Sequence, residues 1–508
     1  MEKENLTEKS YNEVLYLSKS FKQTQPIRIN AIMQLFGFKT KELNKSRVLE
    51  IGCSIGGNLI PISFCAPQSE IIGLDLSEIQ INEGKKIIEQ IGIKNIKLYH
   101  KNIMDYNYEY GKFDYIICHG VFSWVDKNVQ NKILEVIKNS LSENGIACVS
   151  YNTYPGWKNR DIIRDIMLYR KNISEKMNLG LNSTELINQG KEELSFLKQY
   201  SYINEDFKNY IDPVLEKDEY YLYHEYYEEN NKPLYLSEFN NMLEKKELKH
   251  ICDSEILKSF PIYKSDDIDM EEELTKKCGE DSLAKEQYYD FIYNRQFRIS
   301  LLSHKEKVDE LKVSREFSIS NLNSIEIRGK FYLDDNKDYK SIDNSVSVSS
   351  DNKEIIELLN KNYPSTLSFS EIKKILKEKN IEDIDIRLFR LIYKEAVDIF
   401  IDKITINEEE KLKISDKYRK YFEYYLIAEK KLVSLSNFQG KIIELSKLEL
   451  ETILLFDGTN DDKKISDILM DRYQKGEITI DSDLEAEEVL KKFIKALREF
   501  IVRNLLYI

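Results

Sequence analysis

The chain has 508 residues, of which 42% are hydrophobic and 32% charged, and its formal net charge is −13. This length accommodates about two to four domains. No apolar run approaches the roughly twenty residues of a membrane span. The opening MEKENLTEKS is too charged for a signal peptide. The acidic balance argues against nucleic acid, whose phosphates are held by Lys and Arg. The 6 cysteines show no C-x-x-C spacing and the 5 histidines are scattered. That pattern excludes a disulfide framework and a metal site, and it fits a reducing cytoplasm.

Residues 1–46 precede the first strand and form a helical or lid segment. Tyr11 and Tyr16 are placed either to cover a ligand or to pack. Thr24 is the expected helix cap, Pro26 lies in the first turn and Gly37 ends the helix. Val48, Leu49 and Ile51 make a short buried strand. Gly52 and Gly56 open the turn after it, a helix follows, and Ile71 to Leu74 make a second strand ended by Asp75. Ile96–His100 reads as a third strand, followed by Asn102 and Ile103. Phe113–His119 is a nearly continuous apolar run, as expected of a strand covered on both faces. A helix over about 127–141 and a strand over 146–152 complete an alternation of β and α units. That alternation predicts a doubly wound α/β domain.

Tyr154, Pro155, Gly156 and Trp157 then mark a shaped loop at a strand end. A helix is expected over about 160–169, and residues 180–310 read as mainly helical and rich in tyrosine. The polar run 333–353 reads as a linker or long loop. Residues 353–404 give three helical patterns and a short strand, a winged-helix-like arrangement. Its third helix mixes Asp385 and Glu395 with Arg387 and Arg390, which does not suit DNA reading. Residues 411–508 form a second helical unit with a turn at Leu454–Thr459.

Strand, glycine turn, helix, strand and terminal carboxylate lay an adenosine ligand across the ends of a parallel sheet. A dinucleotide needs bare backbone at the second glycine of its fingerprint, and Ser54 stands there. S-adenosyl-L-methionine carries no phosphate and tolerates the serine. On this plan Glu50 orients the donor ammonium through water. Gly52, Cys53 and Gly56 offer backbone to its methionine part. Asp75, with Leu76 beside it, holds the ribose, and Asn102 and Ile103 meet the adenine. His119 ends the fourth strand beside the sulfonium, where its carbonyl meets the ammonium and its ring either accepts a proton or steers the acceptor. Trp124, Tyr154 and Trp157 are placed to wall the acceptor channel. The catalytic candidates are therefore His119, Trp124 and Tyr154, with no metal.

Several segments together resemble one family: SYNEV at 10–14, QTQP at 23–26, EIGCSIGGNLIP at 50–61, HGVFSWV at 119–125, SYNTYPGW at 150–157, YHEY at 223–226 and NRQFR at 294–298. They are similar to the class I methyltransferases that carry a methyltransferase regulatory domain, among them the rickettsial-type protein-lysine methyltransferases. The resemblance implies S-adenosylmethionine as methyl donor and a lysine of a protein, such as a bacterial surface or outer-membrane protein, as acceptor. It also implies a homodimer. The expected organisation is a methyltransferase domain over 47–175, a helical regulatory domain over 176–332, a linker over 333–353 and winged-helix-like recognition modules over 354–508. This chain has Gln25 where the family tends to have histidine, and Gly-Cys-Ser where it usually has Gly-Cys-Gly. A small-molecule methyltransferase and a non-catalytic S-adenosylmethionine-binding regulator share the same donor motifs.

Overall fold

The computed structural model describes residues 17–200, 205–228, 230–260, 264–265, 268–310, 319–335, 337–342, 346–405, 411–480 and 484–507. Tyr11, Tyr16 and the segment 10–14 lie outside the described residues. The principal strands are β1 (Arg47–Ile51), β2 (Glu70–Asp75), β3 (Ile96–His100), β4 (Phe113–Cys118), β5 (Leu141–Asn152), β6 (Leu248–Asp253) and β7 (Phe297–His304). They form a seven-stranded sheet in the order β3-β2-β1-β4-β5-β7-β6. The chain divides into two compact units: residues 17–100, 113–115 and 311–508 make one, and 101–112 with 116–310 make the other.

In the first unit, β1, β2 and β3 run parallel, with Glu50 opposite Gly73 and Asp75 opposite His100. Val48, Leu49, Ile71 and Leu98 are buried, because helices cover both faces of a parallel sheet. The helix Glu78–Ile91 starts at Ser77, whose hydroxyl accepts the Gln80 N–H, and stops at left-handed Gly92. The helix Pro26–Leu35 has proline at its first position, as expected. Its cap differs: Thr24 belongs to a preceding 3-10 turn, and Gln25 stands at the cap position. Thr24 is diverted because its hydroxyl bonds to the Phe21 carbonyl and to Asn58.

The polar run 333–353 is more regular than a linker. Phe331–Leu333, Tyr339–Ser341 and Ser347–Val348 pair as a small antiparallel sheet. Its short strands join through an Asp334–Asp338 turn, so polar composition hid them. Helices Lys353–Asn362, Phe369–Lys377 and Ile384–Tyr393 accompany a second antiparallel sheet of Glu326–Arg328, Leu367–Ser368 and Asp398–Phe400. Four further helices, Asp416–Ile427, Lys447–Ile453, Asp462–Gln474 and Ala486–Arg503, complete this unit.

The middle region of the other unit is mainly helical, as expected, and two longer strands run within it that the sequence pattern did not reveal. β6 and β7 pair antiparallel with each other, and β7 pairs with β5 over Ala147–Asn152. Their apolar pattern is broken by polar residues that are nevertheless buried: His250, Asp253, Arg298, Ser300 and Ser303. Arg298 is fully buried. Its Nε and Nη2 donate to the two oxygens of Asp290 at 2.8 and 2.7 Å, and its Nη1 donates to Glu286 Oε1 at 2.6 Å. Glu286 also accepts from the Ser259 hydroxyl at 2.6 Å and faces His250 Nε2 at 3.2 Å. Asp253 Oδ2 accepts the Ile299 N–H at 3.0 Å. Helices Trp157–Lys176, Ser183–Gln199 and Glu205–Leu215 form a separate core with Ile163, Met167, Leu194, Ile211 and Tyr226.

Among the described residues no helix is long and apolar enough to cross a membrane, and no cluster of metal-ligating side chains occurs.

Removing one partner of a buried ion pair strands the other charge. Asp290→Ala is therefore expected to destabilise its unit by about 3–5 kcal/mol. Ser300→Ala, which loses a neutral contact to Tyr151, is expected to cost about 1 kcal/mol. Denaturant melts of the two variants check this ranking.

Candidate active site

The turn after β1 takes left-handed conformations at Gly52 (φ 76°), Ser54 (φ 52°) and Gly56 (φ 89°). It is tied to the end of β2 by the Gly52 and Cys53 N–H groups, which donate to the Leu74 carbonyl at 2.8 and 3.0 Å. Asp75 completes the tie. Its Oδ2 accepts the Ser54 N–H at 2.8 Å and its Oδ1 accepts the Ser77 N–H at 2.9 Å. The Leu76 N–H reaches the same carboxylate. Burial pushes the Asp75 carboxyl above its ordinary value although these N–H groups pull it down. Leu76 is half-buried beside it and Cys53 is buried.

Glu50 is buried at the end of β1. Its Oε1 accepts from Asn58 Nδ2 at 2.7 Å. Its Oε2 is buried without a hydrogen-bond partner among the described residues. Burial pushes this carboxyl up to about 8, against the Asn58 hydrogen bond, and nearby Asp75 adds to the rise. An acceptor in this state suits a cationic ammonium, and the adjacent Asp75 suits a ribose. Ser54 leaves no bare-backbone cradle for a pyrophosphate, so the residues fit S-adenosylmethionine better than a dinucleotide.

Sequence reasoning missed Asn58 and its partners. Asn58 Oδ1 accepts from the Phe21 N–H at 3.0 Å and from Gln25 Nε2 at 2.8 Å, and the Thr24 hydroxyl bridges the same amide. Ser18 crosses the turn as well, its hydroxyl accepting the Gly57 N–H at 2.9 Å. A side chain at Gly57 would meet the Ser18 carbonyl oxygen at 2.3 Å, so only glycine lets the segment pass. Asn58 closes the glycine-rich stretch in the sequence. Its partners come from a segment more than 30 residues upstream, which local pattern does not reveal.

The remaining candidates belong to the other unit. Asn102 follows β3, and its Oδ1 accepts the Met104 N–H at 2.9 Å, capping the short turn Ile103–Asp105. Ile103 is half-buried. His119 follows β4 directly, with its ring edge-on to Phe297 at 6.0 Å between centroids. Burial pushes the imidazole down to about 4, so it is neutral near pH 7. Gly120 N–H donates to Ser150 Oγ at 2.9 Å. The turn Phe122–Trp124 is held to β5 because Ser123 Oγ accepts the Asn152 N–H at 2.8 Å.

Trp124 and Trp157 meet edge to face at 6.3 Å. Tyr154 packs on Tyr235 at 5.4 Å and donates its hydroxyl to Asp161 at 3.0 Å. Two cations already rest on these rings. The Arg160 guanidinium lies 5.0 Å from the Trp157 ring centre, and the Lys158 ammonium lies 5.5 Å from that of Tyr154 and 5.8 Å from that of Tyr235. Arg160 is itself held by Gln296, Tyr221 and Glu225, at 2.9, 2.8 and 2.7 Å. The structure thus pairs Trp124 with Trp157 and Tyr154 with Tyr235, and it sets Arg160 against the Trp157 ring. The i, i+3 spacing of Trp157 and Arg160 on one helix is the signal that would have revealed Arg160.

Strand order, glycine turn and paired acids define a class I methyltransferase that uses S-adenosylmethionine. Comparison with known proteins agrees. Residues 48–145 match the methyltransferase domain family, and residues 218–304 match the predicted methyltransferase regulatory domain. The uncharacterized protein RP789 of Rickettsia prowazekii is 32% identical over 96% of this chain and 91% of its own length. RP028 of the same organism is 39% identical over 47% of this chain and 96% of its own length. Among solved structures, PKMT2 from Rickettsia typhi superposes with a TM-score of 0.81 at 26% identity, covering 97% of this chain and 99% of that one. The same protein in complex with AdoHcy gives a TM-score of 0.80 at 27% identity. The chain belongs to the family of S-adenosylmethionine-dependent methyltransferases that carry a methyltransferase regulatory domain.

Because Glu50 has a raised value in the folded chain, its contribution to stability is full below the ordinary glutamate range and is lost as the pH rises through about 8. Without donor, the melting temperature is expected to fall over that span. Glu50→Gln is expected to flatten the fall and to melt higher than the parent on its alkaline side, as read by thermal melts at a series of pH values.

Proposed function

We propose that this methyltransferase acts on lysine side chains of a protein substrate, with a bacterial surface protein as the expected class. The observation that carries the reading is the similarity to PKMT2 over 97% of the chain, which extends far beyond the donor domain. The aromatic pairs support it, since Trp157, Tyr154 and Tyr235 already hold cationic side chains against their faces.

S-adenosylmethionine, when bound, supplies a methyl group already activated on a sulfonium. The protein therefore needs to align the acceptor and to keep it neutral. In this reading Asp75 holds the ribose, and Glu50 Oε2 receives the amino group of the methionine part. A cation placed there favours the ionised carboxylate. Gly52, Cys53 and Gly56 contribute backbone, while Leu76, Asn102 and Ile103 border the adenine. Alignment of this kind lowers a barrier by roughly 7–11 kcal/mol when the approach is in line.

A lysine ammonium with an ordinary value near about 10.4 must lose a proton before it attacks. Trp124, Tyr154 and Trp157 would desolvate it, which favours the neutral amine. His119, held down to about 4 by burial, is too weak a base to remove that proton. Its proposed part is to orient the acceptor, and the proton leaves to water as the amine desolvates.

Incubation with donor and bacterial surface proteins, followed by mass spectrometry, is expected to show lysines heavier by one or more methyl groups. Modification of small molecules alone would overturn the protein-substrate reading. Asp75→Ala is expected to weaken S-adenosylhomocysteine binding by about tenfold or more in calorimetry, since it loses charge-assisted hydrogen bonds. His119→Asn is expected to lower turnover at saturating donor without moving the pH profile. An inflection near pH 6.5 that disappears in the variant would instead assign it proton transfer.

A further inference from the structure

The segment 17–25 lies between the donor turn and a loop more than 400 residues later in the chain. Ser18 N–H donates to the Leu432 carbonyl at 2.9 Å, and the Ser434 N–H donates back to the Ser18 carbonyl at 3.1 Å. The Ser20 hydroxyl donates to the Gly440 carbonyl at 3.0 Å. Gly440 has a left-handed φ of 74°, and a side chain there would meet Gln25 Cγ at 2.6 Å and Cδ at 2.7 Å. The Gln25 side chain is thus pressed between Gly440 and Asn58.

The orientation of the Asn58 amide follows from its partners. A backbone N–H can only donate, so the Phe21 N–H fixes Oδ1 on its side. Gln25 Nε2 reinforces the same end. Nδ2 is left to face Glu50 Oε1. With one carboxylate oxygen committed in this way, the other is presented in a single direction.

We propose that Asn58 is a positioning residue that aims Glu50 at the amino group of the donor, and that the loop Leu432–Gly440 sets donor affinity by holding Gln25 against Asn58. The inference rests on the reading that Glu50 receives that amino group. It gives the C-terminal half of the chain a part in donor binding in addition to any contact with substrate.

The probe is S-adenosylhomocysteine, measured by calorimetry on the full chain. Glu50→Gln, Asn58→Asp, Gly440→Ala and the double variant E50Q/N58D are compared. Asn58→Asp keeps the shape and the Oδ1 acceptor but loses the donor to Glu50. It is expected to weaken binding by about tenfold in the parent, the size of a lost hydrogen bond to a charged group, and by less than about twofold when Glu50 is already Gln. Gly440→Ala is expected to weaken binding severalfold while kcat at saturating donor stays within about twofold of the parent. Gln25→Met, which removes only the amide, serves the same purpose should Gly440→Ala fail to fold.

Unchanged affinity in Glu50→Gln would overturn the donor role of Glu50 and this inference with it. Weakened binding in Glu50→Gln with parental affinity in Asn58→Asp would overturn the positioning role and leave the Glu50 reading standing. Additive losses in the double variant would show that Asn58 does not act through Glu50, and parental affinity in both Gly440→Ala and Gln25→Met would overturn the part assigned to the loop.

Discussion

Two carboxylates, buried Glu50 and half-buried Asp75, end adjacent parallel strands, and the donor half of the molecule is organised around keeping them there. Burial raises the proton affinity of both acids, and Asp75 raises that of Glu50 further. The chain offsets this with neutral donors. Ser54 and Ser77 give backbone N–H groups to Asp75, and Asn58 gives its amide to Glu50. Providing those donors dictates the left-handed turn at Gly52, Ser54 and Gly56, the helix start at Ser77 and the path of residues 17–25. None of these donors is cationic, so a ligand that brings an ammonium group would be what favours the ionised form of Glu50.

The other unit handles buried charge in the opposite manner. Arg298 is saturated by Asp290 and Glu286, and Glu286 in turn engages Ser259 and His250. In this network the charges are engaged with one another. Its role is geometric: it joins β7 to the helix Ser282–Ile292, while Asp253 joins β6 to β7. This same unit carries Tyr154 and Trp157, whose loop is anchored by the Thr153 and Gly156 N–H groups to the carbonyls of Gln296 and Arg295. Residues matched to the regulatory domain and the proposed acceptor wall are therefore joined by backbone hydrogen bonds.

The contrast also separates two kinds of titratable group. Glu50 is poised because burial raises it while one oxygen stays unpartnered among the described residues. His119 is silenced, since burial makes it neutral across the physiological range. In the proposed mechanism the charged group binds and the neutral ring orients. That division suits a reaction whose leaving group is already activated and whose main requirement is a correctly placed, uncharged nucleophile.

The sequence by itself determined the parallel β-α-β crossover, the adenosine-type ligand, the preference against a pyrophosphate at Ser54 and the shaped turn around Tyr154, Pro155 and Gly156. Each depends on residues a few positions apart, where spacing alone decides which atoms meet. Tertiary structure alone decided that β6 and β7 are strands, because Arg298, Ser300, Ser303 and His250 interrupt the apolar pattern and find their partners on other elements. It also decided that Thr24 serves Asn58 in place of a helix end, that 333–353 is partly a sheet, and that Gly440 bears on Gln25. A buried polar side chain is stable only with its partner in place, and when that partner is tens or hundreds of residues away no local pattern carries its signature.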